Sequence, residues 1–358
     1  MSKKILISTG GSGGHVIPAI ILYDHLSKDR EITISTDKRG FSFVDKNFYN
    51  VKIIDTPRLN NLILLPLNLV KIFFLIIKSI LFLRKKKINS LISTGGYMSL
   101  PLILASKILN IKIFLLEPNL VLGKANKFFL NSCDKIFCYT DKIKNFPFKF
   151  KRKIVIIKPL VRKEFYKNEI NEIKKEQNEN FTILVVGGSQ GASFFDGKLK
   201  YLISKLAKEF SIKIIHQTNK RNISNLKEFY SKNSIENFVF DYEKNLIDKI
   251  IESDLCITRA GASTLAELSI LNTPFVAVPL PSSKDNHQLE NANFYKNNDC
   301  CWIIEQDDFF EEKIEKCLKD ILEKKSDYLK KKNNLKKLNF QNTWINVNQK
   351  ILKILNEN

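Results

Sequence analysis

Two doubly wound α/β domains in tandem are the fold class this sequence predicts, and three observations carry it. Short apolar runs of strand length alternate with helix-length segments. The first run opens into a glycine-rich turn, and the same grammar restarts about half a chain later with a second glycine turn. Alternation of this kind calls for parallel strands covered by helices on both faces.

In chain order, Ile5, Leu6 and Ile7 form the first buried strand. It runs into Gly10-Gly11-Ser12-Gly13-Gly14-His15, and a helical pattern starts near Val16. Further strands are expected at 32–35, 51–54, 90–93, 111–116, 135–138 and 154–157. A polar stretch at 167–180, rich in Lys, Glu and Asn, reads as a linker. The second half opens with a strand at 182–186 that runs into Gly187-Gly188-Ser189-Gln190-Gly191. Strands at 213–215, 238–240, 255–258, 275–278 and 301–304 follow. The expected domains are 1–162 and 163–340. Residues 341–358 hold apolar positions at helical spacing and read as a helix, with the first domain as one candidate partner. A ligand crevice is expected between the domains, at the carboxyl ends of the strands.

The chain has 358 residues and a formal charge of +21, from 58 Lys and Arg against 37 Asp and Glu. That excess makes an anionic membrane surface, nucleic acid and acidic small molecules the classes of partner to weigh. Much of the lysine sits in Asn- and Glu-rich surface sequence such as 324–337, and no zinc-finger or aromatic RNA-binding motif accompanies it, so nucleic acid is not the expected partner. The six cysteines show no paired spacing for zinc and no disulfide framework, which points to buried thiols in a reducing compartment. The opening MSKKILIST shows no long apolar h-region and no small-residue cleavage site, so export is not expected.

Two stretches carry chemistry. A glycine-rich turn between strand and helix lets backbone N–H groups approach anionic oxygens where the helix terminus favours negative charge. The turn Gly10–Gly14 competes with a dinucleotide fingerprint, and Asp37 sits where that fingerprint's ribose acid would be. Val16, however, occupies the third glycine position. A plain tight turn is the other reading. An imidazole can take a proton from a hydroxyl nucleophile, so His15 at the helix mouth is the candidate base, whereas His25, further along the helix, reads as structural. The second stretch, from Thr258 through Arg259, Gly261 and Ser263 to Glu267, ends a strand and opens a helix, a second anion site. Its carboxylate can accept ribose hydroxyls, or can simply be an acid favoured by the helix dipole.

Together these stretches resemble the N-acetylglucosaminyltransferases of peptidoglycan synthesis, within the GT-B glycosyltransferase superfamily. Gly10–Pro18 resembles that family's G-G-[ST]-G-G-H-x-x-P loop and Gly95-Gly96-Tyr97-Met98-Ser99 its G-G-Y-x-S loop. Glu117-Pro118-Asn119 with Gly123 and Asn126-Lys127 resembles its E-Q-N…G…N-K stretch, and 187–192 its G-G-S-Q-G-A loop. Arg259–Glu267 resembles R-A-G-x-x-T-x-x-E, and His287-Gln288 with Asn291-Ala292 the helix that closes the donor site. The chain departs from the family at Leu116 (usually His), at Pro118 (usually Gln), at Lys158-Pro159-Leu160-Val161-Arg162 (usually G-N-P-V-R), and in a loop one residue longer before Gln288.

The resemblance implies a GT-B architecture of two Rossmann-like domains facing a central cleft, and an inverting transfer of N-acetylglucosamine from UDP-GlcNAc to the C4 hydroxyl of the lipid-linked muramyl-pentapeptide, lipid I, forming lipid II. The implied donor contacts are Ser12, Gly13, Gly14, Asn119, Arg162, Ser189, Ala262, Ser263, Thr264, Leu265, Ala266, Glu267 and Gln288. It implies no required cofactor, with loosely bound Mg²⁺ left open, and no protein metal site. It also implies a peripheral enzyme at the cytoplasmic face of the inner membrane, beside other cell-wall synthesis and division proteins. The alternatives are a glycolipid synthase acting on diacylglycerol with UDP-glucose or UDP-galactose, and a non-catalytic nucleotide-binding membrane adaptor.

Residues 62–83 are strongly apolar and long enough to cross a bilayer. Lys71 and Lys78 inside the run, and the sheet it interrupts, argue instead for an interfacial helix. Ile72, Phe73, Phe74, Ile76 and Ile77 are its expected lipid face, and Arg84, Lys85, Lys86 and Lys87 its basic rim. A helix of the domain core is the competing reading.

Overall fold

Buried apolar runs need partners for their backbone groups, and here every paired strand finds a parallel neighbour. The computed structural model describes residues 3–57, 64–166, 180–243, 245–308 and 310–357; the expected linker 167–180 lies outside them except for Asn180. Strands β1 (Lys4–Ser8), β2 (Glu31–Thr36), β3 (Val51–Ile53), β4 (Ile88–Ser93), β5 (Lys112–Glu117), β6 (Lys135–Cys138) and β7 (Ile154–Ile156) form one sheet in the order β3-β2-β1-β4-β5-β6-β7. Strands β8 (Phe181–Val186), β9 (Ile212–Gln217), β10 (Glu236–Phe240), β11 (Leu255–Thr258), β12 (Phe275–Ala277) and β13 (Cys301–Ile303) form the second, ordered β10-β9-β8-β11-β12-β13. The chain divides into two units, Met1–Lys163 with Thr343–Asn358, and Glu164–Asn342.

In the first unit the strand period of two sorts the side chains of β1. Ile5 and Ile7 join a cluster with Leu22 and Leu26 of helix Gly13–Leu26 and with Val347, Ile351 and Leu355 of helix Trp344–Asn356. Leu6 faces the opposite cluster with Leu83, Leu102 and Phe129, from helices Leu65–Lys86, Leu100–Ile108 and Lys124–Phe129. The C-terminal helix thus completes the first sheet's cover. Thr343 caps it by accepting the Asn346 N–H, Trp344 stacks on His25 with ring centroids 3.5 Å apart, and Asn348 donates to the His25 carbonyl. Buried in that stack, His25 has its pKa lowered to about 3, so it is a neutral structural ring.

Helix Leu65–Lys86 is long and apolar enough to cross a membrane, yet it joins two strands of one sheet and seats Leu83, Ile76 and Ile80 against the core. Asn68, Ile72, Ser79 and Leu83 are its buried positions. Two expected lipid-facing residues are therefore corrected: Ile72 is 5% exposed, and Ile76 packs against the core. The outward face is built from Leu67, Leu69, Val70, Phe73, Phe74, Ile77 and Leu81, with Phe73 60% and Phe74 57% exposed. The sequence alone puts Ile72 beside Phe73 and Phe74, but consecutive helical residues point about 100° apart and cannot all share one face.

In the second unit, Phe195, Leu199 and Ile203 of helix Gly188–Leu206 pack on β8 and β11 with Leu226 and Tyr230 of helix Ile223–Lys232 and with Ile314 and Leu318 of helix Phe310–Glu323.

Candidate active site

The strand order of the first sheet reverses between β1 and β4, so the loops that follow these strands flank a natural crevice at the strands' carboxyl ends. The loop after β1 turns through Gly10 and Gly11, at φ +154° and +83°. A side chain at Gly10 would lie 2.7 Å from Asp37 Oδ1. Asp37 Oδ1 accepts the N–H groups of Gly11 and Gly40, each at 2.8 Å, and Arg39 pairs with the same carboxylate. Asp37 is thereby committed to holding the turn, which removes it as a ribose-binding acid and with it the dinucleotide reading. Ser12 precedes the helix in an extended conformation and makes no capping bond with its side chain. Gly13 and Gly14 open the helix, where N–H groups have no intrahelical acceptor.

His15 follows, half-buried, with Nδ1 2.8 Å from the Thr94 carbonyl in the loop after β4. A carbonyl only accepts, so Nδ1 carries the proton and Nε2 keeps its lone pair. Gly95, at φ +98°, makes room for the ring, because an added Cβ would sit 3.1 Å from His15 Cε1. The Thr94 hydroxyl lies 2.8 Å from the Thr9 hydroxyl and 3.0 Å from the His15 carbonyl, tying the two loops together. An imidazole with a fixed tautomer and an available Nε2 has the form of a general base.

At the end of β5, Glu117 is a buried carboxylate that organises the neighbouring loop. It accepts Gly123 N–H at 2.8 Å, Asn126 Nδ2 at 3.0 Å, and both Asn119 N–H and Asn119 Nδ2 at 3.2 Å. Burial pushes its pKa up, and these hydrogen bonds oppose the shift. Asn119 is positioned by this acid. Arg162, half-buried, follows Leu160 and Val161 at the end of the unit's first chain segment.

The second sheet reverses between β8 and β11, and Thr258 joins the two strand ends through its hydroxyl, 3.0 Å from the Val186 carbonyl. Gly261 precedes helix Ala262–Ile270, and its carbonyl accepts Leu265 N–H at 3.0 Å. Ala262, Ser263 and Thr264 line the helix mouth, half-buried, and Glu267 is 8% exposed one turn further. Leu265 is corrected as a direct contact: its side chain is fully buried and its N–H is used inside the helix. Ala266 is also buried and offers a ligand no exposed side chain. Ser189 falls on a side chain outside the described residues.

Gln288 Oε1 accepts Ala260 N–H at 3.2 Å and Leu280 N–H at 2.9 Å, which fixes its amide orientation and assigns any ligand contact to its NH₂ group. The loop before it passes through Asp285 and Asn286, both at φ 54°, a left-handed region these residue types tolerate. Asn291 Nδ2 donates to the Ala260 carbonyl at 3.2 Å.

Arg259 supports this mouth from beneath. Its guanidinium lies against the Phe194 and Phe195 rings, 4.9 Å from each centroid, and donates to the Val278 carbonyl at 3.2 Å and to Gln306 Oε1 at 2.8 Å. Burial lowers its pKa to about 10, and it remains charged at neutral pH. Glu117 and Arg259 stand inside sequence motifs that assign them no role. Their positioning functions depend on burial, which a motif does not display.

Comparison with known proteins bears on both halves. The glycosyltransferase family 28 N-terminal domain matches residues 5–138, and the glycosyltransferase family 28 C-terminal domain matches residues 182–345. The UDP-N-acetylglucosamine–N-acetylmuramyl-(pentapeptide) pyrophosphoryl-undecaprenol N-acetylglucosamine transferase of Pelagibacter ubique is 49% identical over all of both chains. The enzyme of the same name from Rickettsia felis is 33% identical over 89% of this chain and 91% of its own. The crystal structure of Acinetobacter baumannii MurG superposes with a TM-score of 0.79 at 21% identity, covering 98% of each chain, and shows the same fold of two parallel-sheet α/β domains. With both domains matched in order, the chain belongs to glycosyltransferase family 28.

Proposed function

We infer that the protein is a hexosyltransferase that moves N-acetylglucosamine from UDP-GlcNAc to the C4 hydroxyl of the muramyl-pentapeptide carried on undecaprenyl pyrophosphate, with inversion at the anomeric carbon. The observation that carries this reading is the full-length relative named for that reaction, at 49% identity, together with a His15 held in the tautomer of a base. His15 Nε2 takes the proton of the acceptor hydroxyl as that oxygen forms its bond to the anomeric carbon. The bond from that carbon to the UDP oxygen breaks, and the electron pair leaves with the diphosphate. Backbone N–H groups at the glycine turns and at the mouth of helix Ala262–Ile270 stabilise the departing charge. Glu267 accepts the ribose hydroxyls, Gln288 contacts the sugar through its NH₂ group, and Asn119 and Arg162 complete the donor contacts.

The chain contains no Asp-x-Asp pair, and the reading assigns the diphosphate to amides rather than to a dedicated metal. Turnover that persists in a chelator supports that part, and turnover that stops refutes it. The outward face of helix Leu65–Lys86 and the cations Arg84, Lys85, Lys86 and Lys87 dock on the anionic inner face of the membrane, where a polyprenyl acceptor resides.

Release of UDP from UDP-GlcNAc, measured with and without a lipid I analogue, tests the reaction. Acceptor-dependent release is expected. Release with diacylglycerol and UDP-glucose but not with the muramyl acceptor would replace this reading with a glycolipid synthase.

A further inference from the structure

Residues 142–153 read Lys-Ile-Lys-Asn-Phe-Pro-Phe-Lys-Phe-Lys-Arg-Lys: six cations, no acid, and phenylalanines at every second position from 146. The structure sorts the three rings. Phe146 and Phe150 pack against the core cluster that also seats helix Leu65–Lys86, while Phe148 stands 84% exposed. The Lys149 and Lys151 ammonium groups lie 5.0 Å and 5.6 Å from the Phe150 and Phe148 ring centroids. Lys153 turns inward and donates to the Leu130 carbonyl at 2.7 Å and to that of Cys133. Those carbonyls follow helix Lys124–Phe129, whose Phe128 is 71% exposed. The Lys153 clamp therefore fixes the Phe148 turn to the segment that presents Phe128.

We propose that residues 146–153, with Phe128, form a second lipid-contacting element of the first unit, seated on an anionic bilayer alongside helix Leu65–Lys86. The inference rests on the docking role assigned to that helix. Topology supplies the continuity. The turn Phe148–Lys153 leads into β7, Phe128 lies just before β6, and Arg84–Lys87 lead into β4, so all three stand at the amino ends of parallel strands. Phe150, Phe129 and Leu83 meet in one core cluster, which puts the segments on one face of the sheet. Charge supplies the chemistry: Lys149, Lys151 and Arg152 are exposed there, whereas Lys144 pairs with the loop after β5, at the strands' other end. Exposed rings among cations, next to an apolar helix face, match the boundary between headgroups and acyl chains. A polyanion such as RNA would meet the cations but would leave that helix face uncovered.

The test compares full-length variants by sedimentation with vesicles of phosphatidylglycerol and phosphatidylcholine across a salt series. Phe148→Ser with Lys149→Gln, Lys151→Gln and Arg152→Gln should weaken partitioning roughly 100-fold at low salt, since each cation near an anionic surface contributes about 1 kcal/mol. Phe148→Ser alone should weaken it by a smaller factor without changing the salt slope. Thermal melting and turnover on a short-chain soluble acceptor should match wild type. Wild-type partitioning by the combined variant would overturn the proposal, as would unchanged partitioning combined with lost binding to an RNA oligonucleotide. Substitution of Arg84, Lys85, Lys86 and Lys87 by Gln in parallel separates the two ideas: loss only in that variant sinks the second element and leaves the helix, and loss only in the Phe148 variant does the reverse.

Discussion

The two sheets place equivalent strands in the same order, and both reverse direction of growth beside their first strand, at β1/β4 and at β8/β11. What stands at those two points differs. At β1/β4 a histidine is held between two glycine loops by a backbone carbonyl, with its second nitrogen available. At β8/β11, among the described residues, stand a carboxylate one turn inside a helix and a buried guanidinium packed against two phenylalanines. The first arrangement suits moving a proton, and the second suits holding a polar ligand. One scaffold, used twice, supports either task according to the loops grafted on it. The units also differ outside their sites, since among the described residues the long apolar helix face with its basic end belongs to the first.

Substitutions that affect one side only are the means to break this division. The largest effect is expected from His15→Ala, which should lower kcat about 10²- to 10⁴-fold, the usual contribution of a general base. Steady-state rates at saturating UDP-GlcNAc check it. Next comes the membrane face: changing Arg84, Lys85, Lys86 and Lys87 to Gln should remove up to about 4 kcal/mol of binding to anionic vesicles, with the difference shrinking as salt rises. Co-sedimentation reads that directly, and equal sedimentation of mutant and wild type would return the helix to a purely structural role.

In the second unit, Glu267→Ala should cost about 1.5–3 kcal/mol in donor kcat/KM, the range for a hydrogen bond to a charged group. Donor kinetics unchanged from wild type would remove Glu267 from the ribose. Smaller in its functional reach is the clasp between His25 and Trp344. Because the folded-state pKa of His25 is depressed to about 3, the unfolded chain takes up its proton first. The clasp's stabilisation is complete above pH ~6.5 and is lost as pH falls below it, by about 2 kcal/mol at pH 5. His25→Phe keeps a ring against Trp344 and should flatten that pH dependence in denaturant titrations, whereas a parallel decline in both proteins would assign it to other groups.

The parallel sheets were legible because buried strands read as continuous apolar runs, and the runs at 32–35, 90–93, 135–138 and 255–258 all fall within observed strands. The glycine loops were legible because their spacing is local. Side-chain commitments across the fold were not: Asp37 holds Gly11, Glu117 gathers Asn119, Gly123 and Asn126, and Arg259 reaches Gln306, all through space. The last helix shows the same limit, because Val347, Ile351 and Leu355 mark an apolar stripe without naming the sheet it covers. The basic phenylalanine run at 142–153 was visible in the letters, but which ring faces outward is decided by packing on helix Leu65–Lys86.

The division of labour between the units is the central claim, and calorimetric titration of UDP-GlcNAc into His15→Ala and Glu267→Ala tests it most directly. His15→Ala should bind the donor with wild-type affinity despite its lost turnover, while Glu267→Ala should bind it roughly 10- to 100-fold more weakly. A His15→Ala protein whose donor affinity falls as far as its rate would contradict the account and make His15 a donor-binding residue.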